Sequence, residues 1–162
     1  MIVFRKIENK DIDNILALFE QYPLQFPRFV INRYPERWNN YFEKLSNSEY
    51  WVATINNEVV GHAGFFHNQD VDLYEIVGVV VSSHHQRKGI GRGLLDTVCG
   101  SIRDRGKNKV ILYTLGHPGN EGTISFYRSS GYIETNYEKD YFRSGYSRVT
   151  FLKELETEVN TR

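Results

Sequence analysis

With 162 residues, the chain has the length of one domain able to bury most of its apolar surface. Lys+Arg and Asp+Glu balance at 20 each, so no global field draws it to nucleic acid or anionic lipid. A single cysteine, Cys99, excludes an internal disulfide framework, and no apolar run approaches the ~20 residues of a membrane span.

The opening Met1–Glu8 is too charged for a secretory signal, so a reducing, cytoplasmic setting is expected. Residues 2–7 read as a short strand. Asp11 then caps a helix whose apolar residues Ile12, Ile15, Leu16, Leu18 and Phe19 fall mostly on one face. Tyr22–Asn32, with Pro23 and Pro27, reads as loop. Trp38, Tyr41, Phe42 and Leu45, three and four apart, predict a second helix from about Pro35 to Leu45. Two strands follow, Tyr50–Ile55 and Val59–Phe66, joined at Asn56-Asn57-Glu58, where the Asn pair tolerates positive φ. Val71–Val81 becomes continuously apolar toward its end, as a strand covered on both faces does.

From about Gly89 to Arg105 a helix carries Ile90, Leu94, Leu95, Val98 and Ile102 on one stripe, with Cys99 on its apolar side as a small core residue. Val110–Leu115 is a buried strand, and Asn120–Ser130 a helix ending at Gly131. Tyr132–Tyr137 and Tyr146–Leu152 close the sheet. The order β, α, α, three strands, α, β, α, two strands predicts one mixed α/β domain over residues 1–153. Residues 154–162 read as a polar, frayed tail.

One stretch stands out, Ser82-Ser83-His84-His85-Gln86-Arg87-Lys88-Gly89-Ile90-Gly91-Arg92-Gly93. After a buried strand and at the mouth of a helix, Gln86–Gly91 is placed to bind an anion. Free N–H groups and the helix dipole face outward there, and glycine admits close approach. The ATP-type loop is excluded, because no Lys-Ser/Thr follows the last glycine. The dinucleotide fingerprint fails too, since the spacing is Gly89-x-Gly91-x-Gly93. His84 and His85 diverge as neighbours, and no cysteine or carboxylate completes a metal-ligand spacing, so no metal is expected. Three local cations on a neutral chain make a poor nucleic-acid face.

Gln86-x-x-Gly89-x-Gly91, preceded by Val81, resembles the (R/Q)xxGx(G/A) signature of the GCN5-related N-acetyltransferases, the GNAT family. Asn120-x-x-Thr123-x-x-Phe126-Tyr127-x-x-x-Gly131-Tyr132 is similar to a second feature of that family. Thr123, Tyr132 and Ser83 stand where alanine, phenylalanine and proline are commoner. The resemblance spans most of the chain and implies the GNAT fold: a mixed, mostly antiparallel sheet of about seven strands flanked by about four helices. It implies an N-acetyltransferase that carries an acetyl group from acetyl-CoA to a primary amine of a small molecule or peptide in a ternary complex.

By the same resemblance, the backbone of Val79 and Val81 would pair with the pantetheine arm. The Val79 N–H would polarise the thioester carbonyl. Amides over Gln86, Arg87, Lys88, Gly89, Ile90, Gly91 and Arg92 would cradle the pyrophosphate. Asn120 would touch the cofactor near the pantetheine, and Tyr127 would stand near the sulfur as the acid for the leaving thiolate.

Chemistry adds a further demand. An amine arrives as ammonium and must lose a proton before it attacks a thioester. Glu75 is the candidate base: it lies an even four residues before Val79, which predicts both side chains on one face. The acceptor entrance is expected between Tyr22–Tyr34, with Phe26, Arg28, Phe29 and Arg33, and a loop Tyr137–Tyr146, with Glu138, Asp140, Tyr141, Phe142 and Arg143. A fold and a donor motif do not fix the acceptor. Alternatives are a non-enzymatic acyl-CoA sensor, an acyltransferase for another acyl-CoA, and a nucleic-acid module, which the zero net charge disfavours. The family's frequent dimers make a homodimer through the last strand's edge an open expectation.

Overall fold

Asn56 and Asn57 both take positive φ, 50° and 67°, giving the tight turn that matches the right-handed twist of its flanking strands. They join β2 (Ser48–Ile55) to β3 (Glu58–Asn68), which pairs in turn with β4 (Leu73–Val81). With β1 (Ile2–Lys6), β5 (Lys109–Gly116), β6 (Ile133–Arg143) and β7 (Tyr146–Glu154), they form one seven-stranded sheet. Its order is β1-β2-β3-β4-β5-β7-β6. Only β4 and β5 run parallel; every other neighbouring pair is antiparallel. This computed structural model describes residues 1–156.

Helices cover both faces because the strands alternate. Tyr50 and Val52 of β2, with Val77 and Val80 of β4, face Ile15, Leu18 and Phe19 of α1 (Ile12–Glu20) and Tyr34 and Trp38 of α3 (Tyr34–Phe42). Ala53, Phe65, Tyr74, Ile76 and Leu112 face the other way. They bury the Ile90, Leu94, Leu95, Val98 and Ile102 stripe of α4 (Ile90–Asp104) and Tyr127 of α5 (Glu121–Ser129). Cys99 is buried in that core, its Sγ 3.4 Å from Tyr132 Oη.

Four expectations need correction. The segment Tyr22–Asn32 is not all loop, since Pro27 starts a single-turn helix, α2 (Arg28–Ile31), that buries Ile31. The second helix stops at Phe42, because Lys44 takes φ +57° and leaves Leu45 exposed. Tyr137–Tyr146 is no loop: β6 continues to Arg143 and turns directly into β7 at Gly145, φ +81°. The polar tail begins later than residue 154. Glu154 ends β7, and Leu155 is buried, its N–H donating to the Asn108 carbonyl at 2.6 Å. The remainder of the expected tail, 157–162, lies outside the described residues.

Gly64 shows how tightly the first of these cores is set. A Cβ there would overlap the ring of the fully buried Tyr50 and lie 2.8 Å from the Glu49 carbonyl oxygen. Neither can withdraw without shifting β2. Gly64→Ala is therefore expected to lower stability by about 1–3 kcal/mol, measured as a lower urea midpoint with unchanged m-value.

Candidate active site

The site is built where β4 leaves β5. The two strands pair only at Tyr74–Ile76 against Val110–Leu112, and from Val77 onward β4 has no β5 partner. The cause lies on β4's other side. Against β3, Val77 pairs with Gly64 and Val80 with His62, so β4 carries one extra residue there, a bulge at Gly78-Val79. Gly78 adopts φ +68°, a conformation glycine enters without penalty.

A buried histidine holds the bulge. His62 is fully buried within contact of the Phe19, Tyr34, Trp38 and Tyr50 rings. Trp38 Nε1–H donates to His62 Nε2 at 3.2 Å. Indole nitrogen only donates, so the imidazole proton sits on Nδ1 and is donated to the Gly78 carbonyl at 2.8 Å. Burial drives the imidazole down to about 4, although the bond to Gly78 pulls the other way. A neutral ring with one fixed tautomer results.

The bulge changes the parity on which the Glu75–Val79 inference rested. Glu75 shares its face with Val77 and Val80, toward α1 and α3, whereas Val79 packs with Ile76 and Val81 on the α4 face. The two side chains do not point to one face. They still line one cleft, because that cleft opens through the gap between β4 and β5.

The cleft holds about 1510 Å³ and is bounded by α1–α3, the free stretch of β4, the start of α4, α5 and the β6–β7 hairpin. Among the described residues Glu75 is its only carboxylate-bearing wall residue. Burial raises the Glu75 carboxyl above the ordinary carboxylate range; the Asn68 amide, donating to Oε1 at 3.0 Å, and the charges of Arg37, Arg148 and Arg33 pull against that rise. Tyr127 is almost wholly buried, yet it lines the cleft, and among the described residues no hydrogen bond acts on its hydroxyl. Burial pushes that phenol well above its usual value, so it stays protonated. A carboxylate of raised basicity and a protonated phenol thus share one chamber.

At the anion loop, Arg87 takes φ +64° and Gly89 φ +78°, and the latter precedes the first turn of α4. A Cβ on Gly89 would meet nothing within 4 Å, so this glycine serves its conformation and leaves the approach open. The other glycines answer to packing. A Cβ on Gly91 would lie 3.2 Å from the Phe126 ring, and one on Gly93 would overlap Phe4. Val79, Val81, Gln86, Arg87, Gly89, Ile90, Gly91 and Arg92 all line the cleft; Lys88 does not.

Asn120 is placed differently from the expectation. Its Nδ2 donates to Thr114 Oγ1 at 3.1 Å and to the Leu115 carbonyl at 2.7 Å, and its Oδ1 accepts from Gln25 Nε2 at 2.9 Å. It does not line the cleft and instead clamps the end of β5 to the segment after α1. No motif in that segment announces these contacts. Tyr22 Oη donates to the Val81 carbonyl at 2.7 Å and accepts from Gln86 Nε2 at 2.6 Å. Gln21 Oε1 accepts from Ser83 N–H at 2.9 Å. Of these missed groups only Gly78 left a sequence signal, as a lone glycine inside a strand pattern.

Comparison with known proteins agrees with this architecture. Residues 15–132 match the acetyltransferase (GNAT) family. The chain belongs to that family. Among curated proteins it is 35% identical over 95 residues to human N-acetyltransferase 8, a match covering 53% of this chain and 39% of that protein. The chain therefore corresponds to about two-fifths of that relative's length. Among solved structures, a GNAT-family protein from Desulfovibrio desulfuricans superposes with TM-score 0.85 at 20% identity, covering 96% of this chain and 100% of that one. An aminoglycoside 6'-N-acetyltransferase complexed with coenzyme A gives TM-score 0.80 at 14% identity, covering 98% and 99%. The GNAT fold expected from the sequence, with its seven strands, is the fold observed.

The depressed His62 pKa has a consequence for this GNAT domain. The unfolded chain takes up a proton near pH 6.5 and the native ring resists until about pH 4, so stability is lost as pH falls through that window. Between pH 7 and 4.5 the His62 share of that loss is about 2 kcal/mol. It is measured as the difference in urea-unfolding pH dependence between wild type and His62→Gln, which is expected to show the shallower decline.

Proposed function

We propose that this chain is an acetyl-CoA-dependent N-acetyltransferase that delivers acetyl directly to a primary amine of a small molecule or peptide, both substrates being held at once. One observation carries the reading: Glu75 and Tyr127 line one cleft, at the gap where β4 departs from β5. Family membership and the neighbour holding coenzyme A support the donor.

The chain's residues fit such a donor. The free edge of β4 over Val79–Val81 offers main-chain groups to an extended arm, the Val81 carbonyl already accepting a hydrogen bond on that side from Tyr22. The α4 N-terminus, with Arg87 and Gly89 in the left-handed region, presents amides and positive dipole to a diphosphate. Acetyl-CoA supplies an activated acetyl thioester when bound. Everything else falls to the protein.

Glu75, ionised above its raised pKa, takes the proton that an arriving ammonium must lose. The Val79 N–H, in the stretch of β4 freed from β5, stabilises negative charge developing on the carbonyl oxygen. Tyr127, kept protonated by burial, donates to the departing sulfur. Lys88 and Asn120 act outside the cleft wall, Asn120 by holding the β5 end and Gln25 in place. The buried, unpaired thiol of Cys99 supports a cytoplasmic setting. The last strand, β7, lies inside the sheet, so the free edge is that of β6, and that edge, with Ile133, Tyr137 and Tyr141 exposed nearby, is the face proposed for a homodimer.

Calorimetry with acetyl-CoA and thiol release over an amine panel test the whole; absence of acetyl-CoA binding overturns it. Tyr127→Phe is expected to lower kcat on the order of tenfold to a hundredfold, while the Kd for acetyl-CoA moves little. Equal turnover by the variant removes Tyr127 from the acid role. Glu75→Gln is expected to abolish the rising limb of the pH–rate profile that begins above the ordinary carboxylate range. A limb that survives unchanged assigns proton removal to solvent.

A further inference from the structure

The acceptor end of the cleft carries an imbalance of charge. Arg33, Arg37 and Arg143 all line it, and Glu75 is the only carboxylate they face there. None of the three forms an ion pair with a carboxylate among the described residues. Their neighbour Arg148 is different, since its Nε donates to Glu138 at 2.8 Å while its guanidinium lies over Tyr113 and Tyr141.

Aromatic faces hold the three guanidinium groups instead. Arg37 lies 5.0 Å from the Tyr34 ring centroid and 4.9 Å from that of Phe66; Arg33 lies 5.7 Å from Phe29; Arg143 lies 4.0 Å from Tyr146. The rings hold the charged groups in place, and no carboxylate among the described residues takes up their N–H groups. Arg37 is the best placed. It is half-buried on α3, one turn after Arg33, and its charge acts on Glu75.

Guanidinium groups without an ion-pair partner, in one cleft with a half-buried carboxylate, constrain what can enter. A polycation would meet three like charges for one carboxylate, and a plain amine would leave the arginines uncompensated. An amine that carries its own anion satisfies both signs, the ammonium at Glu75 and the anion on the arginine fork. The rest of this end is aromatic. Phe29 of α2 and Phe142 of the β6–β7 hairpin meet across its mouth, ring centroids 6.4 Å apart, with Tyr141 edge-on to Phe142 at 5.0 Å.

We infer that the acceptor is a primary amine bearing a carboxylate and a bulky apolar group, the pattern of a free aromatic or large aliphatic α-amino acid, and that Arg37 reads the carboxylate. The inference rests on the acetyl-transfer reading above and narrows its acceptor. Peptide N-termini lack that carboxylate and are discriminated against.

Thiol release from acetyl-CoA by the full chain is measured with L-phenylalanine, L-phenylalaninamide and 2-phenylethylamine, then with leucine and its amide. The free acids are expected to exceed the amide and the bare amine in kcat/KM by at least about tenfold. In Arg37→Gln the KM for L-phenylalanine is expected to rise by on the order of tenfold or more, and the preference for acid over amide to collapse toward unity. Arg37→Lys keeps the charge without the fork and is expected to recover part of that preference, which a merely structural role for Arg37 would not predict. A urea midpoint for each variant verifies folding. Amides or bare amines turned over as well as the acids, no turnover with any of the acids, or an acid preference intact in folded Arg37→Gln overturns the inference. Turnover of amines without a carboxylate leaves the acetyl-transfer reading standing, whereas loss of acetyl-CoA binding removes that reading itself.

Discussion

The hydrogen bond from His62 Nδ1 to the Gly78 carbonyl is the constraint on which the rest of the molecule turns. A seven-stranded sheet would ordinarily keep β4 and β5 paired along their length, leaving no groove between them. One extra residue in β4, at a glycine with φ +68°, bends the strand, and three paired positions are all that β5 retains. A Cβ at Gly78 would sit 2.8 Å from His62 Cε1 and 2.9 Å from the Tyr34 ring, so the bulge admits glycine alone on packing as well as on φ. The cleft, the free edge of β4 and the placement of Glu75 on the α1–α3 side all descend from this one irregularity.

A neutral protein can still hold strong local fields, and here they are sorted by position. Cations gather at the α4 loop, the proposed diphosphate site, and again around α3 and the hairpin tip, and Glu75 lines the same cleft. Burial raises both Glu75 and Tyr127, but with opposite consequences for chemistry. It makes the carboxylate a better proton acceptor and keeps the phenol a proton donor. One physical cause, removal from water, thereby raises the proton affinity of two groups that line the same cleft.

Much of this was legible in the chain. The Asn56-Asn57 turn, the α4 stripe and the Gly89 loop announced themselves, because local φ preferences and helical periodicity act over a few residues. Counting along a strand puts Glu75 and Val79 on one face only where no bulge intervenes, and Gly78 introduces one. Gly91 and Gly93 also serve packing that spacing does not announce, because their neighbours Phe126 and Phe4 come from distant segments. Asn120 matched a family position, yet its amide is taken up by Thr114, Leu115 and Gln25, a tertiary fact no spacing encodes. His62 looked like any polar residue in an apolar run.

The first third of the chain carries no motif and still decides how the two ends of the cleft relate. Tyr22 binds the Val81 carbonyl and the Gln86 amide, Gln21 binds Ser83, and Gln25 binds Asn120. A few residues onward, the same segment delivers Phe29 and Arg33 to the acceptor mouth. The Val81 carbonyl has two lone pairs, so a second donor along the β4 edge would share that acceptor with Tyr22. The β4 edge and the aromatic mouth thus draw on one short, proline-bounded stretch, whose polar groups hold the first and whose Phe29 and Arg33 line the second.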